Sequence, residues 1–277
     1  MSHETSFHLN KTKCSKDGLC INVCPMHLLE FETVEQYPSI TKDKEKACIK
    51  CGHCLSVCPH LAISIDGINL EDCPKIKPEN YVDFEKVEQL LRGRRSIRQY
   101  KDQTVESEKI IKLLDLASTA ATAGNSQQVS WMVVNSKDDI YKLSSMTIDM
   151  FKDMIAKKHP MSQAYSLSGI IETFESGYDI ILRGAPVLII AHAPKDYQIG
   201  EVDCSIALTY LDVASGSLGL GTCWAGFLMM AYPNWAPMQK FLNLPEENVC
   251  CGAMMLGYSK YKYQRMPARN KAKIIWK

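Results

Sequence analysis

Apolar residues recur along this chain with two different spacings. Ile110, Leu113, Leu114 and Ala117 fall at i, i+3, i+4 and i+7, the single face of an amphipathic helix. A second helix is predicted with Asp203 as its N-cap and Ile206, Tyr210, Val213, Ala214 and Ser217 on one face, closing at the Gly219-Leu220-Gly221 stop. Unbroken apolar runs at 131–134, 187–191 and 251–256 have the length of buried strands. Helices alternating with such strands point to an α+β or α/β sandwich.

The first quarter of the chain reads differently. Its apolar stretches are short (Leu28, Leu29, Phe31; Ala62, Ile63, Ile65), and each follows a cysteine cluster, 14–24 or 48–58, that ends in Cys-Pro. This is an internal repeat with a period of about thirty-four residues, the mark of a two-fold mini-domain rather than a solenoid. Residues 72–83 carry two prolines, several charges and no periodicity, and read as a linker. Two domains are expected, 1–78 and 79–277.

Composition sharpens that division. At 277 residues the chain can sustain a core without disulfides, and eight of its twelve cysteines lie between Cys14 and Cys73. The polar start (Ser2, His3, Glu4, Lys11, Lys13) has no apolar signal region, and no run of about eighteen apolar residues occurs, so a cytoplasmic protein is expected. In a reducing compartment, clustered cysteines are metal or cluster ligands before they are disulfides. A net charge of +1 gives no reason to expect nucleic acid or an anionic membrane as partner.

Cys48-x2-Cys51-x2-Cys54-x3-Cys58-Pro59 is the bacterial ferredoxin run, in which three thiolates hold one [4Fe-4S] cube and the fourth reaches the other cube. The first copy keeps the register as Cys14-x2-Asp17-x2-Cys20-x3-Cys24-Pro25. Registering the copies gives one cluster to Cys48, Cys51, Cys54 and Cys24, and the other to Cys14, Cys20 and Cys58, with Asp17 or nothing as fourth ligand. A carboxylate is a harder, weaker partner than thiolate for iron in a sulfide cube. The second site is therefore either [4Fe-4S] with Asp17 bound or [3Fe-4S]. Structural zinc also uses Cys-x2-Cys pairs, but it has no use for the third cysteine and the terminal Cys-Pro. His53 and His60 read as surface residues flanking the clusters, and Cys73 as either a spare ligand replacing Asp17 or a half-buried thiol.

Beyond the linker, Arg92, Arg94, Arg95 and Arg98 surround Ser96 at a helix-to-loop exit, donors suited to a phosphate dianion. Three further segments follow: Asn125-Ser126-Gln127-Gln128, the stretch 219–226 (Gly-Leu-Gly-Thr-Cys-Trp-Ala-Gly), and Leu256-Gly257-Tyr258 with Arg265-Met266-Pro267-Ala268-Arg269. In order and spacing, residues 84–277 resemble the FMN-dependent nitroreductase family, and the whole chain resembles its subgroup with a ferredoxin module in front.

The resemblance implies an α+β nitroreductase-like sandwich, a central mostly antiparallel sheet with flanking helices, forming a homodimer with two FMN sites built from both chains. It implies that Arg94, Arg95 and Ser96 grip the FMN phosphate and ribityl chain, and that Arg98 faces the pyrimidine edge, where reduction places negative charge. Asn125 and Gln127 would reach the flavin from the partner subunit, Ala225 and Gly226 would present backbone near N5, and Arg269 with Arg265 would complete the phosphate site. Two departures stand out: Pro267 where some members have lysine, and Gln128 where many have proline.

Cys204, Cys223, Cys250 and Cys251 read as buried structural thiols, and Trp224 and Tyr258 as core aromatics or flavin neighbours. No side chain stands out as an obligatory acid or nucleophile. The expected activity passes electrons from the clusters through FMN to a nitroaromatic, quinone or related conjugated acceptor, with a donor protein or NAD(P)H as source. The alternatives are an NAD(P)H-dependent nitroreductase and a non-enzymatic redox carrier or sensor. Specificity is expected from a loop over the flavin at 150–177.

Overall fold

A computed structural model describes residues 6–32, 36–40 and 44–277. Its backbone contacts divide the chain into two units, Met1–Tyr81 with Gly124–Ser126, and Val82–Ala123 with Gln127–Lys277.

In the first unit the sequence repeat becomes a structural one. Strands β1 (Phe7–Leu9), β2 (Leu29–Phe31), β3 (Pro38–Ile40) and β4 (Ile63–Ile65) form two antiparallel pairs, β1 with β4 and β2 with β3. Helices α1 (Leu19–Asn22) and α2 (His53–Val57) each follow a left-handed glycine, Gly18 (φ 72°) and Gly52 (φ 73°). Lys16 and Lys50, and likewise His27 and Leu61, occupy matching positions with φ between 50° and 58°. Phe7, Cys20, Leu29, Leu55, Ile63 and Ile65 make the small core, with Cys24, Cys54 and Cys58 packed on it. Residues 72–83 are exposed and hold only a short 3-10 turn, Pro78–Asn80, past the end of another, Leu70–Asp72. Cys73 is exposed, not half-buried, and its thiol donates to the Asn69 carbonyl at 3.4 Å.

The second unit contains helices α3 (Phe84–Gly93), α4 (Ser107–Ala117), α5 (Lys137–Ala156), α6 (Met161–Ala164), α7 (Leu167–Glu175), α8 (Gly200–Ser215), α9 (Gly226–Ala231) and α10 (Ala236–Leu242). Strands β5 (Ser130–Val134), β6 (Val187–Pro194), β7 (Gly221–Trp224) and β8 (Asn248–Gly257) form one antiparallel sheet in the order β5-β6-β8-β7. Successive strand residues point to opposite faces. Leu188, Ile190, Ala253 and Met255 enter a core with α5, α7, α9 and α10, while Val187, Ile189, Met254 and Leu256 enter another with α4 and α8. Burial on both faces explains why β6 reads as an unbroken apolar run. Among the described residues no helix is long and apolar enough to cross a membrane.

The helix expected at Ile110, Leu113 and Ala117 forms, with those three residues buried. Helix α8 begins three residues before the predicted cap. Asp203 lies inside its first turn, 2% exposed, accepting hydrogen bonds from the Ala123 N–H and the Tyr197 hydroxyl. The buried face is Cys204, Ala207, Leu208, Leu211, Asp212 and Ser215, not the predicted stripe, and Tyr210 is exposed. Both sides of this helix are apolar, so periodicity alone could not choose between them. Residues 150–177 are not a loop: the end of α5, then α6 and α7, fill them, with Leu167, Ile170 and Ile171 buried.

Candidate functional site

Cys24, Cys48, Cys51 and Cys54 line one cavity in the first unit, walled by Phe7, Leu28, Leu29, Ile40 and Ile65. These are the four thiols that register alone assigns to one cluster. Backbone N–H groups donate to cysteine sulfurs in matching positions of the repeat, Leu28 to Cys24 at 3.4 Å and Ala62 to Cys58 at 3.3 Å. Such bonds stabilise thiolate charge on a cluster. Burial pushes the Cys20 and Cys54 thiols up to about 11, a measure of how dry the sites are. The four thiols Cys24, Cys48, Cys51 and Cys54 share this one cavity.

In the first copy, Cys14 and Asp17 lie close enough to Cys20 to act on its thiol electrostatically. Asp17 is exposed. Its carboxylate accepts from the Ser15 hydroxyl at 2.7 Å and from the Leu19 N–H at 3.0 Å, and these bonds hold it below the ordinary carboxylate range. The structure therefore gives Asp17 a second occupation, at the start of α1. His53 and His60 are exposed, as expected.

The basic segment leaves α3 at Gly93 and runs along β7. Ile97 N–H donates to the Thr222 carbonyl at 2.8 Å, and the Ile97 side chain rests on Gly221, where a Cβ would stand 2.3 Å from Ile97 Cγ1. Only glycine permits that approach. Docking of Ile97 places the residues on either side of it at two cavities.

The first cavity is lined by Lys86, Gly93, Arg94, Arg95, Gly221 and Tyr263, with Asp212 of α8 at its edge. Arg94 Nη1 lies 3.4 Å from Asp212 Oδ2, and the Thr222 hydroxyl donates to Asp212 Oδ1. The carboxylate thus fixes one guanidinium at the mouth of a cationic pocket, while Arg95 Nε is turned onto the Arg94 carbonyl at 2.8 Å. The second cavity is lined by Arg98, Tyr165, Arg183, Cys223, Trp224 and Gly226, with Phe227 and Met230 supplying apolar wall. Ser96 hydrogen-bonds Cys223, whose thiol burial pushes up against the opposing pull of Arg98 and Arg183. Tyr100 Oη is buried without a hydrogen-bond partner, and desolvation pushes its pKa up strongly. A buried unpaired hydroxyl is costly unless something else satisfies it.

Several expected residues are placed otherwise. Ala225 is fully buried and its N–H bonds the Ala253 carbonyl at 2.9 Å, leaving exposed Gly226 as the open backbone of that pair. Asn125, at φ 54°, donates through Nδ2 to the Ile49 and Lys50 carbonyls at 3.1 and 3.2 Å within the first unit. Gln127 N–H donates to the Thr122 hydroxyl at 3.0 Å. Arg265 and Arg269 are exposed in a tail without helix or strand, and Tyr263 enters the phosphate-like cavity in their stead. Trp224 is 42% exposed rather than core: β7 ends there, its ring lies over Gly252 on the α8 side of the sheet, and the residue also lines the second cavity. Sequence reasoning missed Lys86, Asp212 and Arg183. Of these Asp212 left a trace, as the one carboxylate of α8 beyond its first turn.

Two cation-bearing pockets, one of them lined also by an exposed aromatic residue and an open glycine, suit a phosphorylated redox cofactor. Together with the thiol-lined cavity they define a flavin oxidoreductase with an iron-sulfur module. Comparison with known proteins agrees. The nitroreductase family model matches residues 91–258, more than half of the chain, and a 4Fe-4S dicluster domain model matches residues 12–63. A relative from Archaeoglobus fulgidus, named as an NADH dehydrogenase/NAD(P)H nitroreductase, is 27% identical over 178 residues, covering 62% of this chain and 84% of the relative. A similarly named relative from Methanothermobacter thermautotrophicus is 26% identical over 175 residues, covering 61% and 74%. Among solved structures, an FMN-bound nitroreductase from Desulfitobacterium hafniense superposes with a TM-score of 0.56 at 20% identity, over 70% of this chain and all of that one. Another from Bacteroides fragilis gives 0.55 at 17% identity, over 69% and 99%. These two likenesses establish the nitroreductase fold. The chain belongs to the nitroreductase family and carries a 4Fe-4S dicluster domain ahead of the family's own fold.

Proposed function

We propose that the protein accepts single electrons on its iron-sulfur module and delivers them to a conjugated acceptor, a nitroaromatic or quinone, at an FMN held in the second unit. The observation that carries this reading is the cavity lined by Arg98, Arg183, Trp224 and Gly226, which joins two cations to the apolar side chains of Phe227 and Met230. When bound, the clusters supply one-electron carriage and FMN supplies a centre able to exchange one or two electrons.

The roles of the protein's own groups follow. Arg94, oriented by Asp212, holds the phosphate end with Arg95 and Ser96, and Arg265 and Arg269 of the exposed carboxyl-terminal tail are further cations offered to it. Arg98, with Arg183 beside it, opposes negative charge at the pyrimidine edge. Gly226 lets the backbone approach the ring, with Ala225 fixing its position. Trp224, Phe227 and Met230 offer an apolar surface for a conjugated acceptor. Cys24, Cys48, Cys51 and Cys54 hold one cluster, and Cys14, Cys20 and Cys58 the other, with Asp17 or no fourth ligand. The functional division follows at 1–78 and 79–277.

Each site is completed in a homodimer, to which Asn125 and Gln127 contribute from the partner. Support comes from surface that a monomer leaves bare: no residue of α3 is buried, and Phe84, Leu90, Leu91, Ile275 and Trp276 are all exposed.

The names of the relatives favour a second reading in which NAD(P)H is the donor. Anaerobic turnover of a nitroaromatic and a quinone, driven either by a reduced ferredoxin or by NADPH, separates the two. Many cycles per flavin with the ferredoxin support the proposal, turnover with NADPH alone supports the second reading, and a single reduction event followed by arrest contradicts both.

A further inference from the structure

Cys251 occupies an irregularity that the flavin site does not explain. Ala191 of β6 pairs with Gly252 of β8, but the next residue, His192, pairs with Cys250. Cys251 is therefore the extra residue of a β-bulge, a device that re-aims a side chain. Ala253 and Met255 face one core and Met254 the other, so unbroken alternation would send position 251 to the side of Ala253. The bulge turns Cys251 instead to the α8 side, where Cys204 projects. Gly252 keeps that side open, since a Cβ there would stand 2.5 Å from Leu208 Cδ1. Cys250, on the opposite face, has its sulfur on Met229 Sδ at 3.5 Å.

The Cys204 and Cys251 thiols pack in the same cluster, close enough to act on each other electrostatically, and Cys251 Sγ donates to the Val249 carbonyl at 3.4 Å. Their accessibility differs: Cys204 is wholly buried, whereas Cys251 lines a surface cavity with Lys195, Glu201 and Asn248.

We propose that Cys251 and Cys204 form a redox-active dithiol whose substrate class is the low-molecular-weight disulfide, with Cys251 as the attacking thiol and Cys204 as the resolving one. The Cys251 thiolate attacks one sulfur of R–S–S–R, forming a mixed disulfide and releasing RS⁻. Cys204 then attacks the Cys251 sulfur, gives its proton to solvent and displaces the second RS⁻. Two protein thiols are oxidised while one disulfide is reduced to two thiols. Division of labour fits the geometry, because the attacking sulfur must be reached from solvent and the resolving sulfur need not be. It also fits the electrostatics: the neighbouring Cys204 holds the Cys251 thiol below its ordinary range, and Cys251 together with burial holds Cys204 above it.

The test is peptide mapping of the holoprotein, prepared without oxygen, treated with hydroxyethyl disulfide, quenched in acid and alkylated. A Cys204–Cys251 bridged peptide pair, lighter by two hydrogens, is expected at a rate at least ~10-fold above modification of Cys223. Cys204→Ser should stall as a stable adduct on Cys251, and Cys251→Ser should leave Cys204 unmodified. Flavin content of each variant reports its folding, and the unmutated protein's map stands without them. Recovery of both Cys204 and Cys251 as alkylated free thiols overturns the proposal, as does a Cys250–Cys251 bridge.

Discussion

Replacing Gly221 by alanine tests how the basic segment is seated. The added methyl would stand 2.3 Å from Ile97 Cγ1 and 3.2 Å from Ile97 Cβ. Carbon atoms rest at about 3.5 to 4.0 Å, so one side must yield by more than about 1 Å. Ile97 has little room to turn: it is branched, 6% exposed, and tied through its N–H to the residue following Gly221. Overpacking of this kind costs about 1–3 kcal/mol. The displaced segment carries Arg94, Arg95, Ser96 and Arg98, and each charge-assisted hydrogen bond it loses to a phosphate weakens binding by about 1.5–3 kcal/mol, roughly ten- to a hundred-fold in Kd. Thermal melting and FMN titration of flavin-stripped protein, followed by quenching of flavin fluorescence, give the two quantities. Adding Ile97→Ala removes the clashing atoms, so the double variant should bind FMN better than Gly221→Ala alone, a coupling of opposite sign to simple additivity. A Gly221→Ala protein with unchanged melting and unchanged FMN affinity would refute the seating of this segment on β7.

Arg94→Ala should weaken FMN by about ten-fold or more, and gel filtration that recovers stoichiometric flavin would remove this residue from the site. Asp17→Cys should convert the first cluster to a more stable [4Fe-4S]; unchanged cluster content and potential in an EPR titration would leave Asp17 only its bonds to Ser15 and Leu19. His192 is buried beside Asn248, and desolvation lowers its pKa below 6.5. The unfolded chain binds the proton first on acidification, so its contribution favours the folded state above about pH 6.5 and is lost progressively below. His192→Gln should flatten the dependence of melting temperature on pH below about pH 7, and an unchanged slope there would show that His192 does not govern it.

What the sequence disclosed, and what it hid, follows from the range of the forces involved. The grouping of thiols was legible because thiolates that share one cube need a fixed spacing, and the structure brings Cys24 to one cavity with Cys48, Cys51 and Cys54 as register alone predicts. The strand at 187–191 was legible because burial on both faces demands unbroken apolar text, and the half-buried edge strand at 131–134 because its two sides pack on the two cores. Strand β7 was not: Gly221-Thr222-Cys223-Trp224 has turn-like glycines around it, and its place at the sheet edge is set by pairing with β8. The face of α8 was misread because both sides are apolar. Asp212 and Arg183 reach their cavities through tertiary contacts, which leave no periodic mark. The bulge at Cys251 was invisible for the same reason, since it exists only relative to β6.

Iron, acid-labile sulfide and FMN, quantified on protein purified without oxygen, test the central claim most directly. The account predicts about seven to eight irons with matching sulfide and one FMN per chain. Zinc without sulfide, or protein without flavin, would contradict it.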